Sequence, residues 1–135
     1  MAAWMRSVAA ALRPGGRLLL VDVHPLAQMF ASLDPLVLDF PYAFDGGRAF
    51  DQDGSYADRS LRVGATETVQ YAHSLGEIVT AAIGAGLRIE RLDEHLEASR
   101  DARGDLLRRE EDGRHRMRLD GEALPVAYAL IGRRP

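Results

Sequence analysis

Two histidines stand at positions where regular elements are expected to end or begin. His24 follows the apolar run Leu18–Val23, and His73 precedes a helix that is expected to start near Ser74. Because an unperturbed imidazole titrates at about pH 6.5, the His24 side chain could exchange a proton near neutral pH. His24 is therefore a candidate general base, with a hydrogen bond to the loop backbone as the structural alternative. His73 is a candidate substrate-binding residue, and the alternative is that it only leads into the helix.

Aromatic residues are concentrated in an irregular stretch, rich in glycine and proline, that follows His24. Three of them, Tyr42, Phe44 and Tyr56, are candidates for contact with an apolar ligand. Long connections without regular structure are uncommon in compact domains and are often functional. An aromatic segment with glycine hinges is suited to form a lid over such a ligand. The alternative is that these side chains fill the core beneath a long loop.

Composition argues against several other kinds of chemistry. The chain has 135 residues, no cysteine and four scattered histidines, so disulfides, thiol catalysis and a metal centre are not expected. The net charge of −3 gives no basic field for nucleic acid. No apolar run reaches the roughly 18 residues of a membrane span, and no secretory signal is visible. We therefore expect a cytoplasmic protein that binds neither nucleic acid nor membranes.

An apolar run near the start of the chain is expected to form the strand around which the fold is built. Residues 2–13 carry one apolar stripe at helical spacing, and Pro14 with the two glycines after it ends this helix in a tight turn. Leu18–Val23 is then almost continuously apolar, which is typical of a strand buried on both faces of a parallel sheet. Asp22 and His24 lie at its carboxyl end, the edge where open α/β sheets bind ligands.

The remainder of the chain is expected to add three strands, a short helix and a capped helix. Ser74 and Glu77 have the spacing of a capping box, and Gly86 is placed to end the helix that they start. In chain order we expect a short helix at Leu26–Leu33, an irregular stretch at 26–64, a strand at 65–72, the capped helix, a half-exposed strand at Leu87–Leu92, a charged loop at 93–121 and a final strand at Leu124–Ile131.

The sequence around the first strand resembles a known family. The stretch LRPGGRLLLVDVHP at 12–25 is similar to the helix, turn and fifth strand of class I S-adenosylmethionine (SAM)-dependent methyltransferases. The resemblance is greatest to the small-molecule group that includes the ubiquinone-biosynthesis type. Three further stretches extend it over nearly the whole chain: GSYAD at 54–58, HSLGEIVTAAIGAGLRIERLDEH at 73–95 and LPVAYALIGRRP at 124–135.

This resemblance implies a partial Rossmann-like α/β fold in a single domain, residues 1–135. The expected parts are the fifth strand, a helix and antiparallel sixth and seventh strands, with the seventh inserted beside the fifth. Residues 26–72 would be a lid-like insertion over the substrate pocket. The resemblance also implies SAM as the cofactor and a small molecule as the methyl acceptor, with His24 on the acceptor side. It indicates neither the acceptor nor the atom that is methylated.

The family's cofactor signature is a glycine-rich turn after the first strand and an acidic residue at the end of the second. Both lie upstream of the region that this chain resembles. The chain is therefore expected to be the C-terminal half of a methyltransferase, which supplies the substrate side. No SAM-binding residue can be named in it, and we expect it to be inactive alone.

The strand Leu18–Val23 would also have an uncovered edge in such a half-domain. Exposed strand edges are normally paired or covered, because they are templates for association. We therefore expect a homodimer, association with a separately encoded N-terminal half, or poor solubility. The alternative function is a non-enzymatic dimerisation or small-molecule-binding module derived from the same fold. An unrelated small α/β enzyme is disfavoured by the absence of a nucleophile elbow and of a Walker loop.

Overall fold

The computed structural model describes residues 1–43, 46–51, 61–62, 64, 67–98 and 106–135. The helices and strands, in chain order, are α1 (Ala2–Ala11), β1 (Arg17–Val23), α2 (Pro25–Met29), β2 (Phe30–Leu33), β3 (Leu36–Leu38), β4 (Arg48–Asp51), β5 (Glu67–Gln70), α3 (Leu75–Gly84), β6 (Arg88–His95), β7 (Arg108–Arg109), β8 (His115–Leu119), β9 (Glu122–Leu124) and β10 (Ala127–Arg133). The described chain is therefore of the mixed α/β class.

Three strands form the central sheet. β10 lies between β1 and β6 and is antiparallel to both, so β1 and β6 run in the same direction. In the middle of the sheet, Leu130 of β10 lies opposite Leu20 of β1 and Leu92 of β6. The last strand of the chain thus pairs directly with β1, as the family resemblance implies.

Helices α1 and α3 cover one face of this sheet. Eight buried residues form this layer: Met5, Ala9, Ile78, Ala81, Ala82, Leu87, Tyr128 and Leu130. Leu18 and Leu20 of β1 pack against the same cluster, because alternate residues of a strand point to the same face. The two helices predicted from the apolar periodicity are confirmed, and their apolar stripes are buried in this layer.

The other face of β1 is exposed, contrary to the expectation from its continuous apolar run. Leu19 is 65% exposed and Val21 is 60% exposed. The prediction of burial on both faces is wrong for this structure, since α1 and α3 cover a single face of the sheet. The prediction of parallel pairing also fails for the described neighbour of β1, because β10 is antiparallel to it.

A second apolar cluster lies beside the carboxyl end of β1. Its buried residues come from α2, β2, β8 and the adjoining loops: Ala27, Phe30, Leu106, Leu107, Met117 and Val126. The helix expected at Leu26–Leu33 is shorter, because α2 ends at Met29 and the chain continues from Phe30 as the β2–β3 hairpin. Phe30 is buried in this cluster, and β2 begins at that residue.

In the charged segment, expected to be a solvated face or loop, the described residues 106–121 include the strands β7 and β8. Arginine and non-arginine residues alternate along β8, so that Met117 is buried while Arg116 and Arg118 lie on the opposite side. The carboxylate of Glu110 lies 2.5 Å from Arg116 Nη1 and 2.6 Å from Arg118 Nε. Hydrogen bonds from Arg118 and Arg116 lower the pKa of Glu110. The mixed charges therefore neutralise one another locally and stabilise a hairpin.

The other expected elements are found with shifted ends. The predicted strand at 65–72 is β5, which pairs with β4 inside the stretch that was expected to be irregular. β6 and β10 confirm the last two predicted strands, with β10 starting two residues after Pro125. Ser74 accepts a hydrogen bond from the Glu77 N–H at 3.1 Å, which is half of the predicted capping box. The Glu77 carboxylate does not complete it, because it lies 3.0 Å from His73 Nδ1.

The Arg134 side chain caps the C-terminal end of α1. Its Nη1 donates to the carbonyl oxygens of Ala9 at 3.2 Å and Ala10 at 3.1 Å, and also to that of Leu12. These carbonyls have no partner within the helix, and a cation there also complements the helix dipole. We expect Arg134→Met, which keeps the apolar stem, to lower the free energy of unfolding by about 1–2 kcal/mol. Urea denaturation measures the change.

Arg13→Met is the matched control for this substitution. Arg13 is exposed near the same helix end, and its side chain makes no hydrogen bond or ion pair to a described residue. The control is expected to change stability by less than about 0.5 kcal/mol. Equal losses in the two variants would contradict a specific capping role for Arg134.

Candidate active site

His24 and Glu94 form a hydrogen-bonded pair at the carboxyl edge of the central sheet. His24 is the residue after β1, and Glu94 is the penultimate residue of β6. His24 Nε2 lies 2.8 Å from Glu94 Oε1, with side-chain exposures of 4% and 53%. A buried imidazole therefore holds a carboxylate that is open to solvent.

The backbone around His24 fixes which ring nitrogen carries the proton. His24 is the N-cap of α2, and its Nδ1 accepts a hydrogen bond from the Leu26 N–H at 3.1 Å. Nδ1 must therefore be unprotonated, so the proton lies on Nε2 and is donated to Glu94. The His24 N–H also donates to the Val126 carbonyl at 3.0 Å. Both ring nitrogens are thus engaged, which favours the structural alternative for His24 over the general-base hypothesis.

A row of polar residues crosses the sheet beside this pair. Tyr128 of β10 lies opposite Asp22 of β1 on one side and opposite Glu94 of β6 on the other. Directly opposite residues of antiparallel strands point to the same face, so the three side chains share one face. Tyr128 is only 2% exposed, and its hydroxyl makes no hydrogen bond to a described residue. Burial, assisted by the charge of Asp22, raises the pKa of Tyr128 to about 12.

The raised pKa of Tyr128 predicts a loss of stability at alkaline pH. The folded protein keeps the phenol proton up to about pH 12, whereas the unfolded chain loses it near pH 10. The folded state therefore binds more protons between these values, so stability is complete below about pH 10 and falls as the pH rises. We expect Tyr128→Phe to flatten this alkaline decline, as followed by urea denaturation between pH 8 and 11 (roughly the accessible range). The exposed Tyr71→Phe is the control, and an equal flattening in it would contradict the assignment.

His73 and His24 contact different carboxylates. It precedes α3, and its Nδ1 is 3.0 Å from Glu77 Oε1, with side-chain exposures of 21% and 45%. Because α3 runs back along the sheet into β6, its first turn lies toward the same edge as His24. The described contacts join His73 to Glu77 and His24 to Glu94, and they bring neither pair to the other.

Only one of the three aromatic candidates lies in the described part of the chain. Tyr42 is 37% exposed, while Phe44 and Tyr56 lie outside the described residues. The described aromatics nearby pack on each other, with the rings of Phe40 and Phe50 5.8 Å apart and the guanidinium of Arg48 over both. This packing fits the interpretation that some aromatics of the segment fill local core.

The described residues do not fit a complete SAM site. The one glycine pair beside a strand of the central sheet is Gly15 and Gly16, and it precedes β1 instead of following a strand. Their N–H groups are already used, by the carbonyls of Arg134 at 2.9 Å and Arg13 at 2.8 Å. A cradle for a carboxylate needs unpaired N–H groups. Gly15 and Gly16 therefore do not form a cradle for the carboxylate of SAM.

Other kinds of site are not found in the described part of the chain. The histidine and acidic side chains there form no group of three that could hold a metal ion. None of the helices described is both long enough and apolar enough to cross a membrane.

The sequence singles out His24 but neither Glu94, which is hydrogen-bonded to it, nor Tyr128, which lies opposite Glu94. Glu94 sits in an alternating strand and Tyr128 in an apolar one, so neither stands out by residue type. Their relation to Asp22 depends on the register of β10 between β1 and β6. The sequence signal for this row is the position of Asp22 at the end of β1. The strand pairing then shows that Tyr128 and Glu94 lie beside it.

A solved structure shares this fold. The chain is similar to the crystal structure of an S-adenosylmethionine-dependent methyltransferase from Mesorhizobium loti, with a TM-score of 0.54 and 22% sequence identity. The match covers 98% of this chain and 54% of that protein, so the chain spans about half the length of the enzyme. No protein-family model and no curated protein matches the chain. At this identity the similarity shows that the fold is shared with a SAM-dependent methyltransferase.

Proposed function

We propose that this chain forms the acceptor side of a SAM-dependent methyltransferase that acts on a small molecule. The observation that carries the proposal is the strand order of the central sheet, with the last strand reversed between β1 and β6. The sequence resemblance implies this order for the fifth, seventh and sixth strands of such an enzyme. The fold shared with the Mesorhizobium loti methyltransferase supports it over 98% of the chain. Residues 1–135 would then be one domain that corresponds to the C-terminal half of that fold.

The chain's own part in this function is to bind and orient the methyl acceptor, which is a large share of the catalysis of a displacement reaction. His24 acts as a positioning residue, because its ring nitrogens are committed to Leu26 and Glu94. Tyr42, Phe44, Tyr56 and His73 are proposed to contact the acceptor, with residues 26–72 as the lid.

The cofactor part of the proposal rests on the same resemblance. SAM would be held mainly by groups that the described residues do not provide, since the N–H groups of Gly15 and Gly16 are already bonded. The chain alone would therefore bind SAM weakly and be inactive. The same proposal places the enzyme in the small-molecule group that includes the ubiquinone-biosynthesis type. It also places the enzyme in the cytoplasm.

Calorimetric titration with S-adenosylhomocysteine tests the proposed function. We expect no saturable binding to the 135-residue chain and micromolar binding when it is produced together with the in-frame coding sequence upstream of Met1. Micromolar binding to the 135-residue chain alone would overturn the assignment to the acceptor side. Binding to neither form would overturn the methyltransferase assignment itself.

A second candidate function is supported by the exposed side of β1. In the described part of the chain β1 pairs only with β10, and Leu19 and Val21 are exposed on its uncovered face. Such a strand is a template for association, which favours a dimerisation or small-molecule-binding module, with a second copy or a separately encoded N-terminal half as the partner. Sedimentation equilibrium of the wild type and Val21→Lys tests it. A concentration-independent monomer in both would contradict self-association.

A further inference from the structure

Three arginines lie side by side at the amino edge of the central sheet. Arg17 begins β1, Arg133 ends β10 and Arg88 begins β6. Arg133 lies directly opposite Arg17 on one side and directly opposite Arg88 on the other. Because directly opposed residues of antiparallel strands point to the same face, the three side chains form an arginine row on one face of the sheet. This row lies at the opposite edge from His24, which follows the end of β1.

One carboxylate is shared by all three arginines of the row. Glu90 Oε2 lies 2.8 Å from Arg17 Nε. Glu90 Oε1 lies 3.2 Å from Arg88 Nη2 and 4.0 Å from Arg133 Nη1. Within the part of the chain that the structure describes, the three arginines form no other ion pair. Because one carboxylate cannot neutralise three guanidinium groups, the row carries excess positive charge, and like charges on opposed residues destabilise a sheet.

A small cavity beside the row is the second, independent sign of a ligand. The cavity has a volume of about 240 Å³ and is lined by Gly15, Arg88, Arg133 and Pro135. A Cβ atom at Gly15, which has a φ of +75°, would lie 3.5 Å from Arg133 Nη2. A side chain at this position would therefore pack against the guanidinium group that the glycine leaves open. The volume is below the range of about 300–1,000 Å³ that is usual for drug-sized ligands, so the cavity suits a small group.

We propose that the arginine row binds the diphosphate group of a phosphorylated small molecule. A guanidinium group donates two parallel hydrogen bonds to a phosphate, and it stays charged in proteins at all ordinary pH values. An anion with more than one charge supplies the compensation that Glu90 alone does not give. A polymer of phosphates is disfavoured, because the net charge of the chain is −3 and the cavity is small. This site lies at the other edge of the sheet from the proposed acceptor site and does not depend on the proposed function.

Pyrophosphate is the probe, and citrate is the comparison because it is a carboxylate anion of similar charge. Sodium chloride keeps the ionic strength constant, since salt screens exposed charges. We expect pyrophosphate to shift the amide resonances of Arg17, Arg88 and Arg133 saturably in a ¹H–¹⁵N NMR titration of the whole chain, and citrate to bind more weakly. Arg88→Met and Arg133→Met keep the apolar stem of the side chain. Each is expected to weaken pyrophosphate binding about 3- to 10-fold, a modest factor because both guanidinium groups are partly exposed to solvent.

Arg91→Met is the matched control, because Arg91 lies in the same strand as Arg88 but is paired with Asp93 at 2.5 Å. It is expected to leave pyrophosphate binding unchanged. Glu90→Gln removes the competing carboxylate at constant shape, so we expect it to tighten binding. Absence of saturable binding to the wild type, equal binding of citrate, an equal loss in Arg91→Met, or weaker binding by Glu90→Gln would overturn the phosphate site.

Discussion

Leu130→Ala is expected to lower the free energy of unfolding by about 2–5 kcal/mol. Leu130 is fully buried at the centre of the middle strand, where it contacts the layer of α1 and α3. Truncation to alanine loses the burial of the side chain and leaves a cavity between sheet and helices, and the two costs add. Urea denaturation followed by far-ultraviolet circular dichroism measures the difference in unfolding free energy.

Leu19→Ala is the matched control on the other face of the sheet. Leu19 is 65% exposed, so its truncation is expected to cost less than about 1 kcal/mol. The contrast tests whether the helices cover one face only. A loss at Leu19 as large as the loss at Leu130 would contradict this arrangement, and it would show that another copy or partner buries the face of Leu19 in solution.

His24→Ala is expected to cost about 1.5–2.5 kcal/mol, the second large effect. The substitution removes the N-cap of α2, usually about 1 kcal/mol, together with the hydrogen bond from the buried imidazole to the half-exposed carboxylate of Glu94, for which solvent screening leaves about 0.5–1.5 kcal/mol. Thermal and urea denaturation measure the loss.

Two variants separate the contributions at this position. His24→Asn keeps an N-cap acceptor but not the reach to Glu94, so we expect it to recover about 1 kcal/mol relative to alanine. His95→Ala removes an exposed imidazole at the end of β6 and is expected to cost less than about 0.5 kcal/mol. If His24→Ala costs no more than His95→Ala, the hydrogen-bonded pair of His24 and Glu94 is not formed in solution.

Much of the fold could be predicted from short-range signals. Pro14 and the glycines after it end α1, and Ser74 starts α3 with the predicted hydrogen bond to Glu77 N–H. These features depend on neighbours a few residues away, which the sequence shows directly. The charged hairpin also has a short-range signal, because arginine recurs at every second residue of β8, as expected for a strand with one charged face. The mixed charges of the segment favoured a loop interpretation instead.

The exposure of β1 and the polar row could not be predicted, because they depend on partners far along the chain. An apolar run shows only that a strand can be buried. Whether Leu19 and Val21 are buried depends on which faces of the sheet are covered by other elements, and here their face is exposed. Glu94 reaches His24 across 70 residues of sequence. The Asp22–Tyr128–Glu94 row exists only in one register of three strands, and a slip of one residue would turn these side chains to the opposite face.

The proposed function depends most directly on the position of the last strand, and backbone nuclear Overhauser effects measure that position. We expect cross-strand contacts from Leu130 to both Leu20 and Leu92, in line with the register of β10 between β1 and β6. Opposed residues of antiparallel strands have Cα atoms about 4.5–5.5 Å apart, well within range of such contacts. Direct contacts between β1 and β6, with β10 at the edge, would contradict the strand order on which the methyltransferase assignment rests.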